Sequence, residues 1–130
     1  MDINLSFGTK FKTLSVESFL VYIYKMNLTT VSRELKDSLL SVYGNRFSKL
    51  VLFGSYARAE QRNDSDIDFL VVLKGETVNP FKEIALANPV LSGFLFRYGK
   101  VFSLVATSEE RFTNYNNSFF HHVRSEGIEI

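Results

Sequence analysis

The sequence predicts an α+β fold, a mixed β-sheet with helices packed mainly against one face. Three observations carry this expectation. Lys49–Phe53, Ile67–Leu73 and Lys100–Ala106 are short apolar runs, the pattern of strands buried on both sides. Around and between them, apolar residues recur at helical spacing. The chain has 130 residues, 45% hydrophobic and 22% charged, which suits a single globular domain over residues 1–130 with one core. The three apolar runs are expected to be adjacent strands of one sheet.

In chain order, residues Met1–Lys12 show no clear period and read as an arm or an added edge element. Ser15–Met26 is apolar and ambiguous. Ser15 would cap a helix, but Phe19-Leu20-Val21-Tyr22-Ile23-Tyr24 has strand composition, and the reading leans to strand. Thr30 would then cap a helix in which Val31, Leu35, Leu39 and Val42 share a face, with Gly44 just past its end. After the first two core strands, Lys74-Gly75-Glu76 is a turn. Asn79-Pro80 opens a helix with Phe81, Ile84 and Ala85 inward, and Pro89 is expected to break it before Val90–Tyr98. Gly99 resets the chain for the third strand. Thr107-Ser108-Glu109-Glu110 looks like a capped helix start, and Phe119–Ser125 a last helix closed by Gly127.

The stretch with most chemical content joins the first two core strands. Gly54-Ser55 follows the first and leads into an expected short helix, whose free N–H groups suit phosphate oxygens. Asp66 and Asp68 open the second. Side chains two apart on a strand point the same way, so these carboxylates would lie side by side. Such a pair is costly without a cation between its members, and magnesium favours hard oxygen ligands. A phosphate cradle beside paired carboxylates points to chemistry on a nucleoside triphosphate.

Gly54-Ser55-Tyr56-Ala57-Arg58, then Ala59-Glu60, then Asp64-Ser65-Asp66-Ile67-Asp68 and an apolar strand, together resemble the minimal nucleotidyltransferases of the DNA polymerase beta-like superfamily. The resemblance is strong over Lys49–Leu73 and extends from about Val31 to the C-terminus. It implies a magnesium-dependent nucleotidyltransferase that moves a nucleotidyl group, AMP from ATP, onto an acceptor hydroxyl. Asp66 and Asp68 would be catalytic and bind metal. Gly54 and Ser55 would hold the nucleotide's phosphates, with Arg58 nearby. The resemblance also implies a protein partner of the HEPN-domain toxin class. The chain departs from the family pattern twice. Ala59 stands where the family has glycine. If that position needs positive φ, alanine costs on the order of 1 kcal/mol; otherwise the helix runs on by a residue. The third strand also lacks the family's third acid. Ser103 is the polar residue inside Val101–Ala106, and it is expected to face the cleft where that carboxylate would sit, with Glu109 as another source of it.

The rival reading is a catalytically weak module that binds nucleotide or protein on the same fold. The missing acid favours it, and the intact Gly-Ser and Asp-Ile-Asp favour the enzyme. Composition narrows the other classes. A net charge of +1 without a basic stripe gives no case for nucleic-acid binding. The absence of cysteine excludes disulfides and thiolate metal sites, and fits a cytoplasmic protein. The apolar run Phe19–Tyr24 is too short to span a bilayer, and no signal peptide is visible. His121 and His122, adjacent on a helix, diverge and suit joint metal ligation poorly.

Overall fold

The computed structural model describes residues 2–7 and 10–130, with side chains throughout from residue 27 onward. The chain divides into two compact units, Met1–Ser32 and Arg33–Ile130. In the first, β1 (Asp2–Phe7) and β2 (Lys10–Ser15) form an antiparallel hairpin with Asp2 opposite Ser15 and Phe7 opposite Lys10. The helix α1 (Val16–Tyr43) starts directly after β2. The strand expected around Phe19–Tyr24 is therefore helical. Ser15 accepts the Ser18 backbone N–H at 3.2 Å and so caps the first turn. No glycine or proline interrupts the chain from there to Tyr43, and Thr30 lies in mid-helix rather than at its start.

The second unit is built on a four-stranded sheet in the order β5-β4-β3-β6. Its members are β3 (Phe47–Phe53), β4 (Ile67–Leu73), β5 (Phe102–Ser108) and the short β6 (Ile128–Glu129). The three expected strands are neighbours, β5 lying two residues later in sequence than its apolar run suggested. The strand β6 was not expected, because two residues carry no alternation to read. β3 runs antiparallel to β4 and β6, whereas β4 and β5 are parallel, so the sheet is mixed. A parallel pair needs a crossover. The helix α2 (Pro80–Tyr98) supplies it, capped by the Asn79 side chain at one end and by Gly99 in the left-handed region at the other.

Pro89 does not break α2. Proline leaves the carbonyl four residues earlier without its helical donor. Both Pro89 and Ala85 are exposed, so water can take that place. Phe81 and Ala85, expected inward, face out, and the helix instead buries Glu83, Ala87 and Phe94.

The two faces of the sheet differ. Cross-strand partners share a face. Leu50 opposite Val71, Leu52 opposite Phe69, and Phe69 beside Leu104 form a buried face of aliphatic and aromatic groups. Phe94 of α2 meets Phe102 edge-on at 5.3 Å. The second half of α1, with Leu35 and Leu39 buried, is tied to α2 through the Tyr43 hydroxyl, which donates to the Glu83 carbonyl at 2.7 Å. On the other face Val51, Leu70 and Val72 pack with Val123 and Phe112, from the short helices α4 (Ser118–Glu126) and α3 (Glu109–Asn114). Ser108 caps α3 by accepting the Arg111 N–H, as its position suggested. No described helix is long and apolar enough to cross a membrane.

Candidate active site

The second face is open where β3 ends and β4 begins. β3 ends at Phe53, and Gly54 turns the chain with φ +76°. From Gly54 to Ala59 the backbone makes a single helical turn rather than the expected short helix. The Arg58 N–H donates to the Gly54 carbonyl at 3.2 Å. The Ala59 N–H donates to Tyr56 at 3.4 Å and the Glu60 N–H to Ser55 at 2.8 Å. That last pair of bonds is the Schellman closure of a helix end. It places Ala59 at φ +57°, the position where glycine is favoured. The chain thus does not run on as helix, and alanine bears the left-handed strain. Tyr56 is buried and anchors the turn from beneath.

Asp68 lies in β4, opposite Phe53 on one side and Ser103 on the other. Its carboxylate rests directly on the Gly54 backbone, since a Cβ placed on Gly54 would stand 2.5 Å from Asp68 Oδ2. Glycine is thus required here twice, by φ and by contact. Asp66 precedes β4 and is exposed, whereas Asp68 is half-buried. The connection leading to them is closed by reciprocal bonds between Arg62 and Ser65. It is held to the start of β5 by the Ile67 N–H donating to the Val101 carbonyl at 2.9 Å. Burial pushes the Asp68 carboxyl above its ordinary range, the charge of Asp66 pushes it further, and Arg58 partly offsets both. Asp66 lies outside the strand, so strand alternation does not set its direction, but its charge acts on Asp68.

The donor set fits a hard divalent cation in part. Two neighbouring carboxylates with repelling charges would gain from one, but among the described residues no group of three or more acids and histidines could hold a metal alone. Ser103, half-buried, shares the sheet face and the register position of Asp68. Glu109 cannot supply a third carboxylate there. It follows Ser108, which pairs with Leu73, about 16 Å along the sheet from Asp68. Arg58 is engaged on its own side of the turn, with Nε 3.2 Å from Glu60 and an Nη atom 3.5 Å from Glu126. Neither partner was visible in sequence, and Glu126 comes from α4, 68 residues away. Sequence reading also missed Phe119, which meets Phe53 edge-on at 5.5 Å. His121 and His122 lie on the exposed side of α4, and the His122 ring bonds the Ser118 carbonyl of its own helix at 2.7 Å.

Residues 32–113 match the family defined as "Nucleotidyltransferase domain". A protein of Methanocaldococcus jannaschii named "Putative protein adenylyltransferase" is 35% identical over 103 residues, covering 78% of this chain and 96% of the relative. A second protein of that organism with the same description is 24% identical, covering 81% and 100%. Among solved structures, a "putative nucleotidyltransferase from Sulfolobus solfataricus" superposes with a TM-score of 0.57 at 19% identity, covering 80% of this chain and 79% of the other. A chain of a toxin-antitoxin crystallised with AMP-PNP superposes with a TM-score of 0.54 at 22% identity, covering 74% and 69%. At such identities these structures show the shared fold. The extent of the domain match and the similarity to the first relative establish that this chain belongs to the nucleotidyltransferase family.

Proposed function

We propose that the protein is an adenylyltransferase that moves AMP from ATP onto a hydroxyl of a protein acceptor. The observation that carries this reading is the contact of Asp68 with Gly54. It sets a carboxylate against the backbone turn that would receive the triphosphate, so the groups that would hold phosphate and metal lie together at one end of the central strands. Asp66 and Asp68 are the residues that would hold magnesium, completed by phosphate oxygens and water. When bound, the ion would neutralise charge on the phosphates and acidify the acceptor hydroxyl. In the transfer, the acceptor oxygen forms a bond to the α-phosphorus, the bond to the β-phosphate oxygen breaks, pyrophosphate leaves and the hydroxyl proton passes to solvent. Gly54 and Ser55 would cradle phosphates through backbone N–H groups. Arg58 contributes positive charge beside them while Glu60 and Glu126 orient it.

A protein acceptor is favoured by the names of the Methanocaldococcus relatives and by the toxin-antitoxin neighbour. A HEPN-type partner is the specific candidate. Ser103 beside Asp68 supports the rival reading of nucleotide binding with slow transfer, because one ligand and one negative charge are lacking where an acceptor-activating metal would sit.

The test is thermal unfolding with ATP and magnesium, followed by incubation of labelled ATP with the partner. Ligand linkage should raise Tm, and the Asp66→Asn, Asp68→Asn double variant should lose the magnesium-dependent part. An undiminished shift in the double variant removes these residues from the assignment. Ser103→Asp should raise transfer more than ATP affinity, since the added charge acts on the acceptor step. Brisk transfer by the wild type that Ser103→Asp slows would exclude the slow-transfer reading.

A further inference from the structure

The outward face of α2 is unlike the surface of a solitary domain. Phe81 is 85% exposed and Phe96 is 94% exposed. They stand about 22 Å apart along the helix and within one stripe, with exposed Ala85, Asn88, Pro89 and Ser92 between them. The helix PFKEIALANPVLSGFLFRY carries few charges. Glu83 is buried against Arg46, and Arg97 lies 3.4 Å from Glu34, which leaves Lys82 as the other charged group. Two nearly bare phenylalanines on a weakly charged helix face mark an association surface.

The order of side chains along the stripe selects its occupant. Read in either direction it runs large, small, polar or proline, small, large. An antiparallel pairing that sets Phe81 opposite Phe96 of a second copy also sets Ala85 opposite Ser92 and Asn88 opposite Pro89. Lys82 then meets Leu95 and Arg97 meets Pro80, so no like charges are directly opposed. The small central residues allow close approach, while the rings interlock at both ends. A twofold interface must be self-complementary in this sense, whereas a surface for an unrelated protein has no need of reversal symmetry. Four such rings would remove roughly 600–1,000 Å² from water. The exposed Leu95, at the margin of the stripe, adds to this area towards the ~1,200 Å² at which specific interfaces begin. We infer that α2 pairs antiparallel with α2 of a second copy, forming a homodimer whose local axis passes between Asn88 and Pro89.

Sedimentation of the full chain from about 1 µM to about 200 µM should show a concentration-dependent dimer. Phe96→Asp should weaken it at least ~10-fold, and Phe81→Asp, Phe96→Asp together should leave a monomer. Both side chains are solvent-exposed, so helix content and Tm measured at low concentration should be unchanged. Register can be read independently because the chain has no cysteine. Asn88→Cys lies beside the axis and should cross-link two copies on oxidation. Lys82→Cys, about 20 Å from its equivalent, should not. A chain that stays monomeric over this range overturns the inference, as does a dimer indifferent to both Phe substitutions. Cross-linking of Lys82→Cys in place of Asn88→Cys overturns it as well.

Discussion

One face of the sheet is sealed and the other is left open at one end, and the same strands build both. On the sealed face Leu50, Leu52, Phe69, Val71 and Leu104 are buried under the helices, and α2 binds the assembly through Glu83. On the open face the positions in register at the strand ends are Phe53, Asp68 and Ser103, each only partly buried. Polar groups are tolerated on both sides for different reasons. Buried Glu83 has a cation partner, whereas Asp68 has a like charge nearby and a backbone turn against it. The first arrangement stabilises the fold; the second leaves the ionised form of Asp68 destabilised at the open end.

The strongest way to break this contrast acts on the sealed side. Arg46→Met should cost about 3 kcal/mol, since it strands the Glu83 carboxylate in the interior. Glu83→Gln should cost less, because the Arg46 side chain is 44% exposed and can turn to water. Urea unfolding of both variants checks the asymmetry, and equal losses would count against it. On the open side, Gly54→Ala should cost about 1–2 kcal/mol through its positive φ. It should also abolish the magnesium-dependent Tm shift, because the new methyl displaces the Asp68 carboxylate. Ala59→Gly should have the opposite sign, stabilising by about 1 kcal/mol, since left-handed strain at φ +57° is relieved.

The smallest effect has a pH signature. The folded apo protein raises the Asp68 pKa above the ordinary 3.8, so it binds this proton more tightly than the unfolded chain does. Stability from the group is fully present below pH 3.8 and is lost as pH climbs through the raised value. At neutral pH the ionised carboxylate therefore costs stability. Asp68→Asn should raise the apo Tm at neutral pH, and the gain should fade on acidification. A gain of equal size at all pH would assign the effect to packing instead of charge.

How much of this was legible in the chain depends on the range of the interactions involved. The core strands, the Asn79 and Ser108 caps and the Gly-Ser turn were readable, because alternation, capping and turn chemistry act over a few neighbouring residues. Phe19–Tyr24 misled because strand composition there gives way to an uninterrupted helix capped by Ser15. Pro89 misled because an exposed carbonyl can be satisfied by water, a fact about its surroundings and not about proline.

By itself the sequence determined which residues are candidates for chemistry, since carboxylate spacing and a glycine at a turn are local properties. Only the tertiary structure decided what those residues meet. It placed Asp68 on the Gly54 backbone, Ser103 beside Asp68, Glu109 at the far end of the sheet and Glu126 against Arg58. It also turned Phe81 outward where helical spacing had suggested inward. These outcomes depend on strand register and on the rotation of a helix about its axis. Both are settled by summed packing across residues distant in sequence, so no local pattern can specify them.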